Sequence, residues 1–299
     1  MNKRTMVLGG VLALLLLPVA FILSPGTFHR KGNHSLSEAA NPGAILPRGK
    51  RATLTGGVTA DSRSIDVGGK ARSLVVVVPR VLDPSPWLIL VLHGDGGTAS
   101  SFHSSYSYER ASGSRAVLAY PDGGWDLETL DANQDEAFLA KVIETLTAEF
   151  KVDPSHVFAT GYSSGGFFIN VFACHRPGVL RAIASSAAGA PYKQKEKWPN
   201  GYPGCPGQKP TPMLSLHGTD DFGVTVDSGR FAAQYWAYVN GCDLVKQETT
   251  AYKECVSYAG CPKKAPVAYC EVPGLGHWVW DESAEASFAF FENLVQGEH

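Results

Sequence analysis

The sequence is poor in charge and poorer still in charge imbalance. Only 18% of the 299 residues are Asp, Glu, Lys or Arg, and the formal net charge is -2. No basic surface argues for nucleic acid, and no acidic block argues for a solvated tail. There is no C-x-x-C pair, which excludes the common zinc-site spacings, and no dinucleotide fingerprint. The expectation is therefore an enzyme or binding protein with no metal and no organic cofactor. No internal repeat is visible, which argues against a solenoid or propeller. Long apolar runs are also scarce: the one that stands out is Met6 to Leu23, preceded by Lys3 and Arg4 and free of charge. A positive flank followed by such a run reads as a signal peptide or signal anchor, here placed at 1–26. The run is long for a signal core and near the lower limit for spanning a bilayer. Ser24-Pro25-Gly26 offers a weak cleavage site, and the absence of a following cysteine argues against a lipoprotein. The expected location is secreted or periplasmic, with membrane contact only if residues 6–23 are retained.

What is present fits one sizeable domain. Hydrophobic residues make up 44% of the chain, enough for a large core. Residues 27–52 hold Ser, Gly, Pro, Asn and basic residues without periodicity and read as a flexible linker, which leaves 53–299 for the domain. Arg63–Val67 and Ser73–Val78 flank Gly68-Gly69 as in a hairpin. Trp87–Leu92 is continuously apolar, as in a strand buried on both faces, and Ala116–Tyr120 is similar. Gln134–Phe150 places Phe138, Leu139, Val142, Ile143, Leu146 and Phe150 on one helical face. Strands follow at Val157–Thr160, Ala182–Ser186, Met213–Leu216 and Val267–Val272. Helices follow at Gly165–His175, Ser228–Val239 and about Glu282–Val295. Alternating strands and helices predict an α/β fold, a mostly parallel sheet with helices on both faces.

The six cysteines, Cys174, Cys205, Cys242, Cys255, Cys261 and Cys270, are even in number and suit disulfides in an oxidising compartment. Fifteen connectivities are possible for six cysteines. Four crowd between 242 and 270, which leaves Cys174 with Cys205.

Gly161-Tyr162-Ser163-Ser164-Gly165 matches G-x-S-x-G, with an expected strand before it and an expected helix after it. That context suits a serine nucleophile on a sharp turn, flanked by small residues and facing a helix N-terminus. His93-Gly94-Asp95-Gly96-Gly97 follows the Trp87–Leu92 strand. Its backbone N–H groups could meet a developing oxyanion: the N–H groups of Ser164 and Asp95 are the expected pair, with Gly96 as the substitute. His93 precedes the serine and reads as a packing residue rather than a base. The general base and its orienting acid should come later in the chain. His217-Gly218-Thr219-Asp220-Asp221 and Gly274-Leu275-Gly276-His277 both end strands, which makes His277 the base and leaves Asp220 and Asp221 competing as the acid. Trp125, Trp278 and Trp280 are candidates to stack on an aromatic acyl group or a sugar.

From about residue 65 to 296 the chain resembles secreted feruloyl esterases and the related polyhydroxybutyrate depolymerases. The matching pieces are Leu92-His93-Gly94-Asp95-Gly96-Gly97, Tyr120-Pro121-Asp122-Gly123, Asp135 to Leu139, Gly161 to Gly166, His217 to Asp221 with Val224, and Gly276-His277. The resemblance implies an α/β-hydrolase fold, and its H-G-T-x-D piece selects Asp221 over Asp220. Cys255 to Cys261 and Pro266 to Cys270 look like the cysteine-rich approach to the histidine of feruloyl-esterase-like members. The family often has W-P after that histidine, where this chain has Trp278-Val279-Trp280. The expected triad is Ser163, Asp221 and His277. The expected partner is an ester substrate, polysaccharide-linked or polyester, with hydroxycinnamoyl esters of plant cell walls preferred to polyhydroxybutyrate or acetylxylan. The rival from another class is a non-catalytic surface-binding protein on a hydrolase scaffold, which loss of a triad member would favour; none is lost. A peptidase or acyltransferase would use the same triad.

Overall fold

Gly68 and Gly69, both at positive φ (60° and 81°), close the first hairpin, between β1 (Val58–Val67) and β2 (Lys70–Pro79). Left-handed backbone at both turn positions matches the twist of antiparallel strands. The computed structural model describes residues 45–129, 131–191, 193–205 and 207–297. After the hairpin come β3 (Trp87–Leu92), α1 (Ala99–Ser105), α2 (Glu109–Ser112), β4 (Ala116–Pro121), α3 (Gln134–Phe150), β5 (Val157–Tyr162), α4 (Ser164–His175) and β6 (Ala182–Ser186). A two-stranded ribbon, β7 (Glu196–Lys197) with β8 (Pro203–Gly204), precedes β9 (Met213–Gly218) and α5 (Val226–Asn240). β10 (Gln247–Thr249), β11 (Cys255–Tyr258), β12 (Val267–Val272) and α6 (Ser283–Gln296) complete the order.

Ten strands form one sheet in the order β1-β2-β4-β3-β5-β6-β9-β12-β11-β10. The six from β4 to β12 run parallel, and antiparallel strands finish both edges. Strand alternation divides the core into two layers. Leu88, Leu90 and Leu92 pack with α3, α4 and α5, through residues such as Phe138, Phe168, Phe172 and Trp236. Trp87, Ile89 and Val91 pack with α1, α2 and α6, through Phe102, Ala111, Phe290 and Phe291. This is the α/β-hydrolase architecture, a mostly parallel sheet with helices on both faces.

Residues 45–52 correct the reading of 27–52 as a linker. Leu46 is fully buried, and the Leu46 carbonyl accepts from Ala251 N–H. Gly49 N–H donates to the Tyr252 hydroxyl, and Ala52 N–H to the Arg110 carbonyl. A Cβ on Gly49 would lie 2.0 Å from the Glu285 carbonyl oxygen, so the strap runs flat on α6. Glycine, proline and basic residues look like a linker in composition, yet here their backbone groups are bonded and Leu46 anchors them in the core. The expected signal or anchor segment at 1–26 and linker residues 27–44 lie outside the described residues.

All six cysteines are paired: Cys174–Cys205, Cys242–Cys261 and Cys255–Cys270. The first is the pair expected from the sequence. The third joins directly opposed residues of β11 and β12. Among the described residues, no helix is long and apolar enough to cross a membrane.

Candidate active site

β5 passes into α4 with one residue between them. Ser163 alone makes the turn, at φ 51° and ψ -123°. A non-glycine residue in that region is strained by roughly 1–3 kcal/mol and persists only where its surroundings enforce it. The enforcement is steric. A Cβ on Gly161 would lie 2.6 Å from the Gly165 oxygen, and one on Gly165 would lie 2.3 Å from the His93 oxygen and 2.8 Å from Leu92 Cβ. Only glycine lets the turn fold back against β3. Ser163 N–H donates to the Ser186 carbonyl at 3.0 Å, which fixes the turn to β6.

The loop His93–Gly97 lies against this turn: a Cβ on Gly94 would meet the Tyr162 ring at 2.7 Å and Ser163 Cβ at 3.2 Å. Asp95 and Gly96 are exposed on this loop, Gly96 at φ 69°. Ser164 opens α4, so its N–H has no acceptor within the helix. His93 is buried beneath the loop, with Nδ1 donating to the Gly94 carbonyl at 2.7 Å and the ring 5.2 Å from Trp125. It supports the loop from below.

Asp221 and His277 stand on adjacent loops after β9 and β12. Three hydrogen bonds join these loops: Thr219 N–H to the Val272 carbonyl, Asp220 N–H to the Leu275 carbonyl, and Gly274 N–H to Thr219 Oγ1. Gly218 allows the crossing, since a Cβ there would lie 2.0 Å from the Leu275 oxygen. His277 Nε2 is 2.9 Å from Ser163 Oγ, and His277 Nδ1 is 2.8 Å from Asp221 Oδ2. Asp221 Oδ1 accepts from the N–H groups of Gly223 (2.9 Å) and Val224 (2.8 Å). Asp220 is exposed and accepts from its neighbour Thr219. Burial pushes the Asp221 carboxyl up, but the His277 and Val224 hydrogen bonds and the nearby His277 and His217 rings outweigh it. The carboxyl therefore sits below the ordinary aspartate value.

Two residues around this chain of contacts were not singled out from the sequence. Tyr162 donates its hydroxyl to the His277 carbonyl at 2.7 Å, across 115 residues. Burial first, and then the Asp221 charge, push its phenol above the ordinary value, so it remains a donor. His217, fully buried, approaches Asp221 Oδ2 at 3.3 Å. Tyr162 was visible as the variable residue before the serine in G-x-S-x-G, but nothing local signals its distant acceptor.

The tryptophans divide. Trp278 is 42% exposed and lines a groove of about 290 Å³ with Phe102, Tyr162 and the glycine loop. Trp125 is 3% exposed, wedged between His93 and Phe168, and cannot stack on a substrate. Its backbone is left-handed, at φ 49°. Trp280 packs edge-on to Tyr252, 5.4 Å between centroids, in the α6 layer and away from the residues lining the groove. A second hollow, of about 390 Å³, opens at Ser163 and Ser164 and is walled by Leu127 and Phe167. Phe167 is one helical turn past Ser163, its N–H bonded to the Ser163 carbonyl, a spacing from which its place beside the serine follows.

No protein-family model matches the chain. It is 30% identical over 206 residues to feruloyl esterase C of Emericella nidulans, covering 65% of this chain and 68% of that one. It is 27% identical over 232 residues to feruloyl esterase B of Piromyces equi, covering 69% of this chain but only 42% of that longer protein. The solved acetyl xylan esterase of Aspergillus awamori superposes with a TM-score of 0.62 at 19% identity, over 79% of this chain and 100% of that one, which is a likeness of fold. The identity to the Emericella relative and the share of it spanned establish that this chain belongs to the feruloyl-esterase-like family of α/β-hydrolases.

Proposed function

We propose that the chain is a serine carboxylic-ester hydrolase that releases hydroxycinnamic acids from plant cell-wall polysaccharide. The single observation that supports this most is the unbroken run of hydrogen bonds from Ser163 Oγ through His277 to Asp221. Asp221 takes the proton-bearing Nδ1 of His277, leaving Nε2 free to receive the Ser163 proton. Ser163 Oγ attacks the ester carbonyl. The negative oxygen that develops meets the N–H groups of Ser164 and Asp95. His277 passes the proton to the leaving sugar oxygen. Water then attacks the acyl-enzyme by the same route, and the carboxylic acid departs.

A large acyl group is favoured over acetate by the hollow at Ser163. Its walls, Leu127 and Phe167, are apolar, and about 390 Å³ is far more than an acetyl group fills. Trp278, in the groove with Tyr162 and Phe102, suits a sugar ring or an aromatic edge. The names of the Emericella and Piromyces relatives point the same way. Three disulfides suit an oxidising compartment, so we place the working enzyme outside the cytosol, with residues 6–23 as the export signal or an anchor.

The test is a substrate panel of methyl ferulate, p-nitrophenyl acetate and butyrate, acetylxylan and hydroxybutyrate oligomers. Methyl ferulate should be preferred, and Ser163→Ala should fold normally and lose turnover by several orders of magnitude. A fluorophosphonate probe should label Ser163 and no other serine. Near-wild-type activity in the alanine variant would remove the central claim, and preference for acetylxylan would move the substrate but not the mechanism.

A further inference from the structure

His217 is the penultimate residue of β9, four residues before Asp221, with its side chain fully enclosed. Nε2 lies 2.8 Å from the Val224 carbonyl and 3.3 Å from Asp221 Oδ2. Both are acceptors, so Nε2 must carry the proton. Nδ1 is buried with no hydrogen-bond partner and faces Gly229, where a Cβ would stand only 2.4 Å away. A proton on Nδ1 would find no acceptor. The ring is therefore fixed by its surroundings as a one-sided donor. The Val224 peptide is pinned at both ends, its N–H on Asp221 Oδ1 and its carbonyl on His217. The Nε2–H of a second imidazole, bonded to the Val224 carbonyl, thus stands 3.3 Å from the same Oδ2 that accepts from His277.

We propose that His217 is a positioning residue that closes the Asp221–Val224 turn and, by holding its Nε2–H close to Asp221 Oδ2, restrains the basicity that Asp221 confers on His277. The physics is that of a dipole beside a charge: an N–H whose positive end lies close to a carboxylate stabilises that charge, and less of it is left to favour the protonated form of the imidazole it holds. The other charged or titratable groups around this cluster are Glu271, which is paired with His217 across β9 and β12 and bound by Arg230, then Asp227 on Arg230, and Tyr269 on β12. Tyr162 and Ser163 face His277 from β5 and its turn.

The proposal rests on the esterase reading of Asp221 and His277, and the experiment separates the two. The pH dependence of kcat/KM on p-nitrophenyl acetate is measured for the wild type, His217→Gln and His217→Leu, with near-ultraviolet circular dichroism as the check of folding. Gln can place an amide N–H near the Nε2 position, while Leu supplies bulk without a donor. The acidic limb in the Leu variant should move up by about half a pH unit or more, and Gln should restore it. In the Ser163→Ala background, NMR of the proton between His277 and Asp221 supplies a readout that needs no turnover: its titration midpoint should move up with Leu and return with Gln. A folded Leu variant with the wild-type limb and midpoint would overturn the proposal, as would Gln moving as far as Leu. A Leu variant that does not fold leaves the decision to Gln against His217→Asn, whose shorter amide should fail to restore the midpoint; equal behaviour of these two overturns it. A wild-type protein with no ester turnover would instead sink the esterase reading, while the NMR arm still decides on His217.

Discussion

The two halves of the site are built by different physics. The serine half is shaped by what is missing: Gly161, Gly165 and Gly94 lack the Cβ atoms that would collide with Gly165, His93 and Tyr162. The acid–base half is shaped by what is bonded: the segments after β9 and β12 are joined by hydrogen bonds of Thr219, Asp220 and Gly274, and the Asp221 carboxylate accepts from several donors. Shape fails abruptly, because no side chain can be squeezed into a 2.3 Å gap against backbone. A hydrogen-bonded loop fails by degrees, one partner at a time. Each half can be broken on its own terms.

The largest effect should come from the acid. Asp221→Asn keeps the shape and reverses the hydrogen bond to His277 Nδ1, which traps the imidazole in the wrong tautomer. The loss in kcat should be on the order of 10⁴, as for the same change in the serine-protease template. Asp220→Asn, at an exposed carboxylate, should stay near wild type, and steady-state kinetics on one ester ranks the pair. The same residue predicts a pH effect. Its carboxyl is below its ordinary value when folded, so its contribution to stability is complete above the unfolded value and is lost as pH falls through the folded one. Wild-type protein should therefore lose stability from roughly pH 4 downward, and Asp221→Asn should show a shallower acid slope in denaturant titrations.

Next comes the shape of the serine half. Gly165→Ala would force its methyl against the His93 carbonyl and Leu92. The cost should be upwards of about 3 kcal/mol, because the obstacle is backbone at the end of a buried strand. Thermal denaturation should show it, with activity falling in proportion to misplacement of Ser163. Gly57→Ala is a control: no atom lies within 4 Å of the added methyl, so it carries only the strain of its positive φ.

Third is the bridge behind the base. Cys255–Cys270 joins β11 to β12, the strand that launches the His277 loop, across a separation of 15 residues. Closing a loop of that length is worth roughly 3 kcal/mol in the chain-entropy model. The Cys255→Ala/Cys270→Ala variant should lose about that much in thermal unfolding. Its activity should decline at temperatures where the serine half, measured by fluorophosphonate labelling, is still intact. Simultaneous loss of both signals would mean that the two halves are not independently supported.

How much of this was readable beforehand follows the same division. Buried parallel strands and long amphipathic helices write their boundaries in hydrophobicity, so Trp87–Leu92, Val267–Val272 and Gln134–Phe150 have the limits expected of them. The glycine pattern around Ser163 is local, and so is its geometry. Elements stabilised by long-range partners were not readable. The α1 segment Ala99–Ser105 is mostly serine and is a helix because Thr98 and Ser101 cap it reciprocally and its Phe102 is buried. β11 has four residues and exists between β10 and β12, stapled to β12 by a disulfide. Leu46 finds its core site far along the chain, beside Tyr252 and α6. Trp125 gave no sign of facing inward, because one indole in a glycine-rich loop has no periodicity to betray its side. His217 stood inside a quoted motif, but its contact with Val224 depends on the fold of the loop.

The smallest effect sharpens the comparison most, because it tests a bond that joins the two halves beside the contact of Ser163 with His277. Tyr162 ends β5, immediately before Ser163, and its hydroxyl donates to the carbonyl of His277. The strand that leads to Ser163 thereby holds the backbone of His277. The ring has its own support: it lies near Phe102 and the Trp278 indole, at 6.1 and 5.0 Å between centroids. Tyr162→Phe should leave the aromatic packing in place and remove only the hydrogen bond. A net bond of this kind is worth about 1 kcal/mol, or about five-fold in a rate. If the bond aligns His277 Nε2 on Ser163, the loss should appear in kcat with KM nearly unchanged, since the groove walls do not move. The Asp221→Asn/Tyr162→Phe double variant then provides the coupling: with the tautomer already wrong, alignment of the ring matters less, and the second change should cost under two-fold. A full five-fold loss in both backgrounds would show that the tyrosine acts on something other than the base, and that the halves are joined only through Ser163 and His277 themselves.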